Sequence, residues 1–321
     1  MSEPFCSTII PTIGRDTLQR AVESALQQHF DLPIEVIVVN DSGRPLPAAG
    51  WQADRRVRVI ETQQRERSVA RNVGAAVAHG RYLHFLDDDD WLLAGAYTTM
   101  AALAANNPAP WLYGAAQLAD THGHCLFQFD HNLHGNGLLP VMAGEWIPLQ
   151  ASWIGRSAFY DLGGFDPAVN GLEDKDFLLR SAQRFEMDGT ATPVAGILRG
   201  VWNSSTDWGQ IRRRWHFACE RVLNEPGTPA RLRGSTSNAY WRGRLLRLYL
   251  LSAYWNAKAG RPILLLDRLF HAAGALLGAG PRLFSAEFWR ALTRQHLTAG
   301  FDPAGAAPGS RRNPQPTRTA G

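Results

Sequence analysis

The chain has 321 residues, 45% hydrophobic and 19% charged, with 33 Lys and Arg against 29 Asp and Glu and a net charge of +4. This length suffices for one large domain or two small ones, and the apolar fraction excludes global disorder. So mild a surplus speaks for anionic ligands, or an anionic membrane surface, over a dedicated nucleic-acid binder. The three cysteines, Cys6, Cys125 and Cys219, lie far apart and fit neither a disulfide framework nor a zinc site. The opening MSEPFCSTII lacks the basic and long apolar regions of a signal peptide. No run of 18 uncharged apolar residues occurs, the nearest, Pro262 to Gly280, being interrupted by Asp267, Arg268 and His271. The expected location is the cytoplasm.

In chain order, the apolar run 5–10, ended by Pro11, predicts a buried strand. Residues 15–29 carry Leu18, Ala21, Val22, Ala25 and Leu26 on one helical face. A second strand over 34–39 stops at the turn Asn40-Asp41-Ser42-Gly43, and a third covers 57–60. A helix over 68–78 and a strand over 82–86 follow. Strands alternating with helices predict an α/β fold with a Rossmann-like, mostly parallel sheet flanked by helices, and such sheets bind ligands at the carboxyl ends of their strands. Asn40-Asp41 and Asp87 to Asp90 sit at such ends. Further on, 111–118 and 125–129 predict strands around the loop THGH, and 157–162 and 173–185 predict helices. From Trp208 the chain turns helical, basic and aromatic, and after Phe301 it loses all periodicity. The expected division is a domain over 1–207, with halves of about 1–110 and 111–207, a helical C-terminal subdomain over 208–300, and a disordered tail over 301–321.

The stretch HFLDDDDW places four carboxylates in a row, Asp87 to Asp90, after an apolar strand. Each neighbouring pair repels by about 0.7 kcal/mol at roughly 6 Å in water, and by more where the dielectric falls. A solvated turn tolerates that repulsion; a bound divalent cation removes it. On an extended strand, Asp87 and Asp89 face one way and Asp88 and Asp90 elsewhere. Carboxylate oxygens suit Mg²⁺ or Mn²⁺.

The segments STIIPTIGR, VIVVNDSG, ARNVGAAVAHGRYLHFLDDDDW and GGFDPAVNGLEDKDFLLR, in this order, resemble the family 2 glycosyltransferases of GT-A fold over roughly residues 5–205. The resemblance implies a nucleotide-sugar donor (a UDP-sugar by preference), a divalent metal and inversion at the anomeric carbon. It implies that Asp87 and Asp89 hold metal and that Asp87 and Asp88 belong to the donor site. Asp41 matches the aspartate that reads the nucleobase, with an Asx-turn as the other reading. Pro11 and Thr12 match a donor-side loop. Arg71, and more weakly Arg67, would meet phosphate oxygens, while an ion pair of Arg71 with a nearby aspartate can hold at the same time. Glu173 and Asp174 occupy the family's Glu-Asp position. Asp174 is then the base and Glu173 a supporting or acceptor-orienting residue, although acidic residues also favour a helix's first turn without chemistry.

One departure is that relatives often place a His after the last core strand, where this chain reads LRGVWNSST. Either aspartates, phosphates and water complete the metal site, or His216 does. The cluster His122, His124, His131 and His134 matches no metal motif. A GT-A-like nucleotidyltransferase and a non-catalytic GT-A-fold binding protein are the rival functions. The acceptor, a glycan or a lipid-linked glycan, would meet Trp146, Trp153 or Trp208 if these stack on sugars. Residues 241–296 mix apolar clusters with Arg242, Arg244, Arg247, Arg261 and Arg268, which reads either as a packed helical subdomain or as peripheral contact with the inner membrane face.

Overall fold

The computed structural model describes residues 3–129, 133–145, 147–169, 171–198, 208–235 and 238–293, with only the backbone of 208–212. The expected tail over 301–321, His131, Trp146, Asn170 and Trp202 lie outside these residues, as does the side chain of Trp208.

The first half alternates as expected: β1 (Cys6–Thr12), α1 (Leu18–Leu26), β2 (Ile34–Asn40), β3 (Val57–Glu61), α2 (Arg67–Ala76) and β4 (Tyr82–Phe85). Next come β5 (Trp91–Leu92), α3 (Ala96–Asn106), β6 (Trp111–Ala119), β7 (Cys125–Phe129), β8 (His134–Gly135) and α4 (Leu138–Met142). Then follow β9 (Ser152–Gly155), α5 (Arg156–Asp161), α6 (Glu173–Arg184) and β10 (Met187–Leu198). Five more helices close the described chain: α7 (Trp208–Leu223), α8 (Thr228–Gly234), α9 (Ala239–Lys258), α10 (Pro262–Leu277) and α11 (Ala286–Thr293). Pro11 lies inside β1 and does not end it. Beyond Ile9 only the β2 side of β1 is paired, so a ring without an N–H is tolerated.

The sheet order is β3-β2-β1-β4-β9-β6-β10-β5, with β7 on β6 and β8 on β10. The run β3-β2-β1-β4 is parallel throughout. Past β4 the expectation of a mostly parallel sheet gives way to a mixed one. β9 runs antiparallel to both β4 and β6, β10 is parallel to β6, and β5 returns antiparallel on β10. Antiparallel pairs need no helical crossover, which fits the short, loop-connected elements there.

Strand alternation sends Ile9, Ile37 and Val39 into one core and Ile10, Val36 and Val38 into the other. α1 and α3 cover the second core, and α1 buries Leu18, Ala21, Val22 and Ala25 of the expected stripe. α2 presses on the first: a Cβ at Gly74 would lie 2.5 Å from Ile9 Cγ2. Leu245, Leu246, Tyr249, Ala272 and Phe288 of the C-terminal helices join that same first core. These helices are therefore packed on the sheet domain. Of the five arginines named above, two turn inward and Arg261 stays exposed. Arg244 and Arg268 are buried beside Glu145 (4.0 Å) and Glu220 (3.6 Å), and Arg247 donates to the carbonyl of Leu292. A buried guanidinium needs such partners. No described helix is long and apolar enough to cross a membrane.

Candidate active site

The site forms where β1, β2 and β4 end. The Leu86 amide makes the last ladder bond, to Ile9, and the chain then turns, with the Asp90 amide donating to the Asp87 carbonyl at 3.1 Å. Because the acidic run is a turn and not a strand, alternation of side chains does not apply. Carboxylate oxygens of Asp87, Asp89 and Asp90 all lie within 4.8 Å of one another. Asp90, expected to face elsewhere, thus belongs to the cluster, and its Oδ1 also accepts from the Leu198 amide at the end of β10 (2.8 Å). Asp88 alone turns away, accepting from Thr12 Oγ1 and from Arg15 Nη1, each at 2.6 Å.

Asp87 accepts from Arg71 Nη2 (2.6 Å) and Gln150 Nε2 (2.8 Å). Asp89 is held more loosely, with Arg15 Nη1 at 3.2 Å. Its carbonyl accepts from Arg20 Nη2 (2.6 Å), whose guanidinium lies 4.0 Å above the Trp91 ring. Burial drives all four carboxyls toward the neutral form. In Asp87 the charge and hydrogen bond of Arg71 override burial and hold it below the usual carboxylate range. In Asp88 and Asp89 burial wins, and in Asp90 burial and the charges of Asp87 and Asp89 push it well above that range. Three close carboxylates with too few matched cations make a cation-seeking site of hard oxygen donors.

On the opposite wall, Glu173 opens α6 and is buried. Arg67 Nη1 lies 3.2 Å from it and Arg71 Nη1 3.8 Å. Arg71 is 2% exposed, and its Nε and Nη1 hydrogens find no hydrogen-bond acceptor among the described residues. It makes the ion pair with an aspartate that its position suggested, and it bridges Asp87 to Glu173. Arg67, half-exposed, stands nearer the mouth. Asp174 is only partly buried, and the Lys175 amide (2.8 Å) is the one donor to its carboxylate among the described residues. The two walls share a brace. Asn72 of α2 donates to the Phe165 carbonyl (2.8 Å) and accepts its amide (2.9 Å). Gly164, at φ +73, leaves room for this, since a Cβ there would meet Asn72 Oδ1 at 2.6 Å.

Asp41 is buried, and its oxygens accept from Thr62 Oγ1 (2.8 Å) and from the amides of Gln64 (2.8 Å) and Glu66 (2.7 Å). It organises the loop leading to α2, in which Arg65 takes φ 50, an unusual conformation outside glycine. The Asx-turn falls to Asn40 instead, whose Oδ1 accepts the Ser42 amide. Thr12 is a hinge between Asp88 and the Gly14 amide. Pro11, half-buried, pairs with Val39 one residue before Thr12.

Three residues of the site, Arg15, Arg20 and Gln150, escaped the sequence reading. Arg15 follows β1 and gave its signal in PTIGRDT, an arginine beside a strand end. Gln150 has no local signal. His84 Nε2 lies 2.8 Å from the Gln150 carbonyl and its Nδ1 3.1 Å from Thr8 Oγ1, so the ring anchors the segment whose side chain reaches Asp87. Burial lowers the His84 pKa to about 4. Trp153 stacks on that ring at 4.2 Å inside the core, so it is no sugar platform. His216 lies beside Glu220 and Trp255, and His124 beside Asp120; neither joins the aspartates.

The profile of the family described as "Glycosyl transferase family 2" matches residues 7–122. An uncharacterized glycosyltransferase of Haemophilus influenzae is 26% identical over 183 residues, 55% of this chain and 62% of the relative. A protein of Campylobacter jejuni named GalNAc(5)-diNAcBac-PP-undecaprenol beta-1,3-glucosyltransferase is 30% identical over 137 residues, 40% of this chain and 41% of the relative. The chain thus spans less than two thirds of both curated relatives. The crystal structure of S. aureus TarS 1–349 in complex with UDP-GlcNAc superposes with a TM-score of 0.58 at 15% identity, covering 85% of this chain and 92% of that one.

Proposed function

We propose that this chain, whose residues 7–122 match the family 2 glycosyltransferases, moves a sugar from a nucleoside-diphosphate sugar to an acceptor hydroxyl, with inversion and with Mn²⁺ or Mg²⁺ as cofactor. The observation that carries the reading is the pairing of two walls. The carboxylate cluster of Asp87, Asp89 and Asp90 faces α6, whose first turn carries Asp174, and the chain Asp87–Arg71–Glu173 links them. The bound ligand in the TarS complex and the Campylobacter relative's name favour a UDP-sugar donor and a lipid-linked acceptor.

Asp87, Asp89 and Asp90 supply the oxygen donors that fit the metal. When bound, it would neutralise charge on the donor's diphosphate. The chain's own groups do the rest. Arg15 and Arg67 offer partly exposed guanidinium groups at the mouth for phosphate oxygens. Arg71 holds Asp87 ionised and fixed in place. Asp174 takes the proton of the acceptor hydroxyl as its oxygen bonds to the anomeric carbon and the bond from that carbon to the diphosphate oxygen breaks.

The test is a panel of nucleotide sugars, each measured for product release with Mn²⁺, with Mg²⁺ and in EDTA, beside thermal shift. A UDP-sugar should raise the melting temperature with metal and turn over only with metal. Full turnover in EDTA would remove the metal from the reading, and no response to any nucleotide sugar would remove the donor.

A further inference from the structure

Along α10, Ile263, Leu266, Phe270 and Leu277 are 82, 66, 74 and 80% exposed. At about 100° per residue the four fall within an arc of roughly 60°. Arg268, Ala272 and Ala275, on the opposite side, are buried against the core. A helix on a water-facing surface would carry polar residues along that outer arc. This one carries none, and Phe284, in the turn that follows, is 92% exposed. Contiguous apolar surface of this kind marks an interaction site.

We propose that the outer face of α10 docks this protein on an anionic lipid surface. Charge decides the occupant. From 258 to 293 the cations are Lys258, Arg261, Arg268, Arg282 and Arg290, against the carboxylates Asp267 and Glu287. Asp267 pairs with Arg268, and the other four cations are exposed. An apolar ladder with a cationic rim matches acyl chains beneath anionic headgroups. A second copy would bring the same cationic rim against itself. Residues 294–321 hold only Leu297 and Phe301 as large apolar side chains, too few to cover the ladder, and carry four arginines against Asp302. They complement the lipid's charge and not the face. The surface is independent of the transferase reading, so either can fail alone.

The experiment is co-sedimentation of the full chain with vesicles of phosphatidylcholine, with and without phosphatidylglycerol. The chain should bind the anionic vesicles, less so at high salt, and bind the neutral ones weakly. Leu266→Ser with Phe270→Ser should lower that binding about tenfold or more, with an unchanged melting temperature because both side chains are exposed. Lys258→Glu with Arg261→Glu should weaken binding to anionic vesicles alone. Undiminished binding by the Ser variant, or no binding by the wild type, overturns the proposal, and equal binding to both vesicles removes its charge component. A wild-type dimer that the Ser variant dissociates assigns the face to a second copy and overturns it also.

Discussion

At the strand ends, Arg71 holds Asp87 and Glu173; among the C-terminal helices, Arg268 lies beside Glu220. The second network closes on itself. Glu220 accepts from Ser252 and from Asn256 Nδ2 (3.0 Å), and Arg268 Nε donates to Ser252 Oγ (3.0 Å) and Nη2 to Asn224. The first does not close. Asp87 to Asp90 and Glu173 outnumber Arg15, Arg20, Arg67 and Arg71, and Arg71 Nε finds no acceptor among the described residues. A buried polar network complete in itself is a structural part. One with charge left over has room for a further cation.

Substitutions sharpen that contrast. The largest effect belongs to Asp89→Ala and Asp87→Ala, which should abolish metal-dependent turnover. Asp89→Ala should leave the melting temperature near that of the wild type, since it removes like-charge repulsion, whereas Asp87→Ala should also lower it, because buried Arg71 loses its 2.6 Å partner. A folded, fully active Asp89→Ala variant breaks the comparison. Asp174→Asn follows, with turnover down by about 10² or more, because a general base contributes roughly 10²–10⁴, while donor affinity by titration stays constant. Loss of donor binding would move Asp174 to the donor wall. Glu220→Ala should behave in the opposite way, losing about 1–3 kcal/mol of stability in urea unfolding because buried Ser252 and Asn256 lose their acceptor and Arg268 keeps only Asp267 as a carboxylate partner, with the donor affinity of the folded fraction unchanged.

The smallest effect is a pH dependence. His84, with its folded pKa lowered to about 4 from 6.5, stays neutral in the core while the unfolded chain takes a proton. Its contribution is whole above pH 6.5 and is lost as pH falls toward 4, a difference of about 2 kcal/mol by pH 4.5. Unfolding curves of His84→Gln at pH 7 and 4.5 should lack that part of the decline.

The elements read best from sequence are those whose signal is local. β1, β2 and β4 are short apolar runs between helices, and the α1 stripe is buried at four of its five named positions, Leu26 being the exception. β10 was invisible: MDGTATPVAGIL mixes Gly, Pro and Thr, and its pairing with β6 shifts register around Pro193. β9 is four residues long and reads as part of its surroundings. In the site, the acidic run announced itself, but its geometry did not, because a turn obeys no period. Arg15 and Gln150 reach the aspartates across 73 and 63 residues of chain, a relation that no window along the sequence contains.

Asn72 gives α2 a mechanical role. The helix that carries Arg71 to the acidic cluster also grips the main chain just ahead of α6 at two points, so donor wall and base wall ride on one rigid strut. The gap between them is then a fixed gauge. In the proposed reaction, an acceptor would have to fit that gap as it stands. On the proposed reading that spacing sorts acceptors by length, and it is set by an asparagine that lends no charge to either side.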